Sequence, residues 1–470
     1  MNNIIFNKYL ILIFSAIWVI IPCFRENMPL DCVEAISWGR NFALGYNKHP
    51  PLSGWLAYLA FNFYKSDLSI YTLSQICIII SCIYIYLISY KLGFDKNKRY
   101  LSVLLLFGSF YFTLASTEFN VNVLLLPLWN AFIYHSYIAV IEKKYNHFIF
   151  VAIFAGLCIL SKYIGALIVV SFCLYVILNK STWHIFKSKQ LYTGFFIFAI
   201  IMLPHLYWLI KNDFITFHYA LKRGNFEHSF LSHIINPLHF LVSQILAMLG
   251  SIISCFAIYG FKFQMKKLSE REKFISYLFI SPIAIMCLLS FIFGLKLISM
   301  WGLGMFGLLP TFIILINSRK ALYPRLGMYI MLIFYAIAIF AYIYGIKNSK
   351  VPNFPGKALA KSVLQIWKDN VGTELKYVGG DVWYGGNVAI YSADNVKKLY
   401  IDMDSSQNTW LDHEDLKKHG IVILARNQGE MDSYKKNYPN IAQLNDIEIP
   451  MHGNLYKNKI NFKIAIIKPI

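Results

Sequence analysis

Charge is what this sequence has least of. Only 14% of its 470 residues are Asp, Glu, Lys or Arg, against about 25% in soluble domains. Apolar residues make up 57%, and long runs of them recur as far as residue 347. Each approaches the length, about 20 residues, that a helix needs to cross a bilayer core. Most of these runs also lack the polar face, repeating every 3.6 residues, that a soluble core helix carries. A soluble domain is excluded. The chain reads as a polytopic α-helical membrane protein.

Other absences narrow the function. There is no basic stripe: the net charge of +20 is scattered in short clusters between apolar runs. That is the pattern of cytoplasmic loops under the positive-inside rule, with membrane lipids as the basic residues' partners. Nucleic acid is therefore not expected as a partner. None of the eight cysteines stands in a C-x-x-C pair, and most lie in apolar runs, where cysteine acts as a small hydrophobe. Cys23 and Cys32 admit a disulfide in an oxidising compartment, which sequence alone leaves open. No G-x-G-x-x-G opens a helix, so a dinucleotide loop is missing. Internal repeats and mid-run charges are missing too, against a lipid-linked sugar transporter or flippase. The first apolar run, Tyr9 to Pro22, has no convincing cleavage site and reads as a retained helix.

What is present begins with the spans. About eleven membrane helices are expected, near 7–23, 70–91, 99–116, 122–141, 147–161, 163–179, 191–210, 234–260, 274–293, 299–317 and 326–346. With the N-terminus inside, the connectors KLGFDKNKRY, EKKYNH, NKSTWHIFKSKQ, KFQMKKLSEREK and NSRKALYPR fall in the cytoplasm, where their charge belongs. The outer face then receives residues 24–69, STEFNVN, the SKY turn, residues 211–233, GLKLISMW and everything after 347. These outer segments hold acids, histidines, tryptophans and isolated lysines, and loops on a rigid scaffold are where chemistry tends to sit. From residue 351 the character changes. Short apolar runs (ELKYVGG, NVAIYS, KKLYID, GIVILAR) alternate with charged helical stretches (ALAKSVLQIWKDN, HEDLKKHG). The division is 1–350 for the membrane domain and 351–470 for a small outer α/β domain.

The unusual outer segment is LDCVEAISWGRNFALGYNKHPPLSGW, residues 30–55. On a helix over DCVEAISWGRNFAL, Asp31 and Glu34 share one face, lying in the interface or complementing the helix dipole. Pro29 and Gly45 match start and stop signals. The double proline of NKHPPL starts a second helix at Pro51. It leaves Lys48 and His49 before a helix N-terminus, a place that attracts anions; an interfacial lysine reaching for headgroups is the plainer reading. Glu118, Asn120 and Asn122 open a membrane helix and suit helix caps. Lys162 and Lys296 interrupt apolar runs, where a lysine snorkels or pairs with an anion. The 211–233 loop carries Asp213, His218, Lys222, Arg223, Glu227, His228 and His233. These admit a divalent metal that no ligand spacing supports.

At this point the sequence resembles the membrane-embedded GT-C glycosyltransferases. It is most similar to the bacterial branch of glycosyltransferase 39/83 type, which contains protein O-mannosyltransferases and the lipid A aminoarabinose transferase. Asp31 followed by Gly45, Tyr46, His49, Pro50, Pro51 and Leu52 matches that branch's first outer loop. The likeness continues through EFNVNVLLLPLW, LSKYIGAL, NDFITFHYAL, GLKLISMWG, FPGKALA and VGGDVW. It implies the GT-C fold with interfacial helices in the first outer loop and a periplasmic C-terminal domain. It also implies a glycosyltransferase of the bacterial inner membrane that takes a sugar, nearest an amino sugar, from undecaprenyl phosphate. The acceptor it implies is lipid A or another envelope molecule, protein or polysaccharide, and no cofactor is firmly implied. Asp31 matches the essential acid of the loop, with Glu34 as the second catalytic candidate. Lys48, His49, Glu118, Asn120, Asn122, Lys162, Tyr163, His218, Lys296 and Trp301 are the candidates for holding donor phosphate and substrate. Two departures stand out: many relatives have a second acid where Cys32 stands, and an Asp where Asn122 stands.

Overall fold

A computed structural model of the chain describes residues 8–224, 229–260, 264–319, 321–392, 396, 398–451 and 459–470. The loop after α1 (Lys8–Ile20) holds two short helices, α2 (Leu30–Gly39) and α3 (Leu52–Tyr64). Then come α4 (Asp67–Lys91), α5 (Lys96–Leu104), α6 (Val121–Val140), α7 (His147–Ser161), α8 (Ala166–Leu178) and α9 (Lys189–Lys211). A short α10 (Ile215–Gly224) precedes α11 (Phe230–Ala247), α12 (Leu249–Tyr259), α13 (Glu270–Phe293), α14 (Leu309–Ile316) and α15 (Pro324–Asn348).

Among the described residues, six helices are long and apolar enough to cross a membrane: α4, α6, α9, α11, α13 and α15. A seventh is gained if Tyr163–Leu178 and the segment after it, bent by 101°, count as one span. The eleven expected spans therefore do not all appear as single long helices. The 99–116 span stops as α5 and passes through 3₁₀ turns, the 234–260 span breaks at Met248, and 299–317 is helical only in pieces. Hydropathy reports where apolar residues lie; it does not report whether the helix through them is unbroken.

Polar side chains hold the bundle where lipid cannot. Helix α6 is almost wholly buried at its centre, and Asn130 Nδ2 donates to Ser81 Oγ of α4 at 2.8 Å. Helices α9, α11 and α15 instead turn Phe195, Leu238 and Phe340 outward, exposed as lipid-facing side chains are. Helix α2 crosses α3 at backbone contact: a Cβ on Gly39 would stand 1.9 Å from the Gly54 carbonyl oxygen. Gly39→Ala is expected to lower stability by about 1–3 kcal/mol through overpacking, read as a fall in unfolding temperature in detergent. An unchanged midpoint would speak against this crossing. Helix α2 ends at Gly39, short of the predicted Leu44, because the chain turns back towards α3 through Phe42 at φ 43°.

The C-terminal part is a mixed sheet with helices. It comprises α16 (Gly356–Asn370), β1 (Tyr377–Gly380), α17 (Tyr384–Tyr391), β2 (Lys398–Ile401), α18 (His413–His419), β3 (Ile421–Ala425) and α19 (Gln428–Asn437), then β4 (Ala442–Gln443), β5 (Ile447–Pro450) and β6 (Lys459–Ile467). The strand order is β2-β1-β3-β6-β4, with β5 on β6; β1 runs parallel to β2 and β3, and β6 is antiparallel to its neighbours. NVAIYS, an apolar run expected among the strands, is the body of α17. Its residues are buried on all sides, so alternation gave no signal, and Gly386 packs against Val33 of α2. The two parts share a core. Trp38 and Tyr46 of the loop after α1 cluster with Leu359, Val363, Val388 and Val422.

Candidate active site

Helix α2 begins after Pro29, which cannot donate within a helix and so suits its first boundary. Asp31 lies in its first turn and Glu34 one turn on, and both face a cavity of about 390 Å³ at the ends of the membrane helices. Asn120 caps α6: its Oδ1 accepts from the backbone N–H groups of Asn122 (2.9 Å) and Val123 (3.2 Å). The cap fixes the amide, so its Nδ2 donates to Asp31 Oδ2 at 3.0 Å. On the other flank of α2, Cys32 Sγ donates to the Phe119 carbonyl at 3.6 Å. Ser161 Oγ at the end of α7 donates to the Val121 carbonyl at 3.0 Å. Helix α2, the start of α6 and the end of α7 are thereby tied together around Asp31.

The cations of the cavity are not equivalent. Lys48 Nζ lies 2.5 Å from Glu34 Oε1. Burial raises the Glu34 carboxyl against the pull of Lys48, and Glu34 in turn raises Lys48 against its own burial. The proton stays on the lysine, whose ordinary value lies far above a carboxylic acid's, and the pair is locally neutral. His49 is held in a tight turn, where the Tyr46 N–H donates to its carbonyl at 3.0 Å. Its imidazole stands edge-on to Trp38. Burial, then Lys162, Lys48 and Arg223, pull His49 down to about 3. It is a neutral hydrogen-bonding group at pH 7, not the cation its place before a helix suggests.

Lys162 sits in the turn between α7 and the helix that follows. Its Nζ donates to Asn122 Oδ1 at 2.5 Å and lies 5.9 Å from the Trp301 ring centroid. Burial foremost, then Arg223, lower its ammonium to about 7, with Asp31 acting in the opposite sense. Arg223, on α10, donates to the Tyr219 hydroxyl at 2.6 Å and stacks near that ring. The contacts of Lys162 are thus an amide and an indole, and those of Arg223 a phenol. Among the described residues no acid contacts either one directly, so both are available to an anion entering the cavity, which would itself favour the charged form of Lys162.

Tyr163 lines the cavity with its ring, but its hydroxyl is engaged. His205 Nδ1 donates to the Leu44 carbonyl (2.7 Å), which leaves a neutral His205 with an accepting Nε2. Tyr163 O–H therefore donates to Nε2 (2.8 Å) and accepts from Thr216 Oγ1 (2.8 Å). This chain joins α9, α10 and the loop that leads to Lys48. On the opposite wall, Gln244 Nε2 donates to the Ser299 carbonyl at 2.9 Å, and the Tyr111 hydroxyl touches both. That turn carries Met300 and Trp301 into the cavity. Gln244→Leu removes one of the two donors to that carbonyl and leaves it to Tyr111 alone. It is expected to raise the donor KM about tenfold with a smaller change in kcat, read by steady-state transfer kinetics. A proportional fall of kcat alone would contradict a positioning role.

Of the sequence candidates, Asp31, Glu34, Lys48, His49, Asn120, Asn122, Lys162, Tyr163 and Trp301 line the cavity together. Glu118, His218 and Lys296 do not line it. Glu118 lies behind Asp31; burial and the Asp31 charge raise its carboxyl to about 7, with Arg25 opposing. His218 is exposed on α10, and Lys296 is exposed with its backbone N–H on the Gly224 carbonyl (3.1 Å). Tyr219 and Arg223 are the members that the sequence reading passed over in favour of His218; their i, i+4 spacing on one helix face was the available signal. Among the described residues no three His, Cys, Asp or Glu side chains gather to hold a metal ion. Glu227 and His228 lie outside the described residues.

Residues 48–208 match the family model described as dolichyl-phosphate-mannose-protein mannosyltransferase. That span opens at Lys48 and takes in the Asn120–Asn122 cap and the Lys162 turn. The crystal structure of ArnT from Cupriavidus metallidurans bound to undecaprenyl phosphate aligns over 97% of both chains, with a TM-score of 0.61 and 12% identity. The fold is GT-C. The apo structure of the same ArnT aligns over 98% of both chains with a TM-score of 0.53 and 12% identity. No curated protein sequence matches the chain. In this GT-C fold, the loop after α1, the capped start of α6 and the Lys162 turn meet at one cavity, and the C-terminal part packs on that loop.

Proposed function

We propose that this protein is a glycosyltransferase of the bacterial inner membrane, moving an amino sugar from undecaprenyl phosphate to lipid A on the periplasmic side, where its C-terminal domain also lies. The observation that carries this is the cavity's pairing of a carboxylate, Asp31, with two cations, Lys162 and Arg223, that no acid neutralises by direct contact among the described residues. Transfer breaks the bond between the anomeric carbon and the phosphate oxygen, and the electron pair leaves with the polyprenyl phosphate. Fixed positive groups stabilise that growing charge, and Lys162 and Arg223 stand ready to do so. The new bond forms to an acceptor oxygen. Where that oxygen is a hydroxyl, Asp31 takes its proton as general base; where it belongs to a phosphate, it is already ionised and Asp31 steadies the cationic sugar instead. The ArnT likeness at the level of fold supports a polyprenyl-phosphate donor.

A second reading, a protein or polysaccharide O-glycosyltransferase, is favoured by the description of the family model matching residues 48–208. Mass spectrometry of lipid A from cells with and without the gene separates the two. A mass increment of one sugar that depends on the gene supports the first. Unchanged lipid A beside altered glycoprotein or polysaccharide favours the second.

A further inference from the structure

A second opening, of about 450 Å³, lies where the ends of α1 and α3 and the start of α4 meet α16 and α17. Cys23, Lys65, Asp67, Lys357 and Tyr391 are among its walls, and none of them lines the catalytic cavity. A depression of about 610 Å³ continues from Lys357 and Tyr391 along α16, past Lys361. Because both share Lys357 and Tyr391, they form one groove. It rises from the ends of the membrane helices along the flank of the C-terminal domain.

The groove and its surroundings are chemically divided. Outside the lining itself, beside Cys23 and Lys65 in the chain, Phe24 is 75% exposed, Phe63 92% and Tyr64 65%, an aromatic foot at the helix ends. Aromatic side chains at a bilayer boundary lie against headgroups and the first methylenes. Higher up, Lys357 and Lys361 stand one helical turn apart on α16. The acid at the foot, Asp67, is already engaged: it accepts from the Tyr391 hydroxyl at 3.0 Å, and its side chain is 16% exposed. Lys357 Nζ lies 3.8 Å from Asp67 Oδ2 and 5.4 Å from the Tyr391 ring centroid, and its side chain is 59% exposed, so the ammonium is loosely paired at the foot and still open to the groove.

We propose that this groove binds the headgroup of a membrane phospholipid, with its phosphodiester on Lys357 and Lys361 and its acyl chains against the aromatic foot. A soluble anion would make no contact with the aromatic side chains, and a purely apolar molecule would add nothing to the one distant carboxylate, Asp67 at 3.8 Å, that faces Lys357; an anionic amphiphile meets both. The site also bears on the catalytic loop. The Tyr391 hydroxyl accepts from the Met28 N–H at 3.0 Å, and Met28 precedes the helix that carries Asp31. A lipid here bridges the C-terminal domain to the root of α2.

Full-length protein in detergent, titrated with dihexanoyl phosphatidylglycerol and followed by native mass spectrometry, tests this. One bound phospholipid is expected in the parent, with at least tenfold weaker binding in Lys357→Ala/Lys361→Ala. Cys23 gives an independent reading, because it is exposed in the groove. In a Cys173→Ser background, the phospholipid should slow Cys23 alkylation in the parent and not in the double variant. The lipid-linked donor is another source of a lipid phosphate, and Arg223→Ala distinguishes it. That variant should bind phosphatidylglycerol normally while weakening undecaprenyl phosphate. Equal phospholipid binding by parent and double variant, or its loss in Arg223→Ala, overturns the site. If the double variant does not fold, Cys23 protection in the parent decides, and its absence overturns the site.

Discussion

Asp31→Asn is expected to yield a folded protein with transfer reduced by about 10²–10⁴-fold, the usual contribution of a positioned general base. The substitution is close to isosteric. The side chain stays in the first turn of α2, exposed to the cavity, and its Oδ1 can still accept from Asn120 Nδ2 in place of the carboxylate oxygen (3.0 Å in the parent). Among the described residues Asp31 enters no ion pair, and the salt bridge of this helix is the one between Glu34 and Lys48. The unfolding midpoint should therefore move little, which separates lost chemistry from lost structure. Purified variants assayed with a polyprenyl-phosphate sugar give the result directly, and full activity in Asp31→Asn would sink the assignment. Glu118→Gln makes the comparison sharper. That carboxyl lies outside the cavity lining and is raised to about 7 by burial and Asp31. Replacing it should cost far less than replacing Asp31.

What the sequence discloses and what it hides follow from range. The apolar runs and the Asn120 cap are local features, and each appears where the residues suggest, although not every run is one unbroken helix. The meeting of Asp31, Asn120, Lys162 and Trp301 was anticipated only because alternating spans put their segments on one face. Charge state was not legible. His49 stands before a helix N-terminus and looks like an anion site, yet burial and two lysines leave its imidazole neutral. Lys48 looks like the phosphate ligand until Glu34, fourteen residues earlier in the chain, is found 2.5 Å from it. Arg223 was hidden for the opposite reason: in a loop rich in charge, its i, i+4 spacing from Tyr219 singles it out only once the segment is known to be a helix whose face meets the cavity. Helix breaks at Met248 and after α5 were equally silent, because a run of apolar residues reads the same whether or not its hydrogen-bond ladder is interrupted.

Removing the Lys162 charge should be the other severe change. Lys162→Met is expected to lower kcat/KM by about 10²–10³-fold, the range for losing one preorganised donor to a developing anion, while Arg223→Ala leaves the buried cation in place and costs less. The pH dependence supplies the stronger test. In the empty cavity the ammonium is lowered to about 7, chiefly by burial and next by Arg223. It is therefore charged below pH 7 and increasingly neutral above. A donor phosphodiester stays anionic throughout this range, and binding it raises the lysine again. Donor binding then takes up a proton above pH 7, so affinity should fall by up to tenfold per pH unit there and level off below. His49 adds no limb, being neutral throughout. Glu118 does titrate near 7, so the limb must persist in Glu118→Gln to belong to Lys162. Lys162→Arg keeps its charge at every accessible pH and should flatten the profile even though its fit to Asn122 is poorer. An alkaline limb of the same midpoint in the arginine variant would assign the titration to another group and remove Lys162 from the role of phosphate ligand.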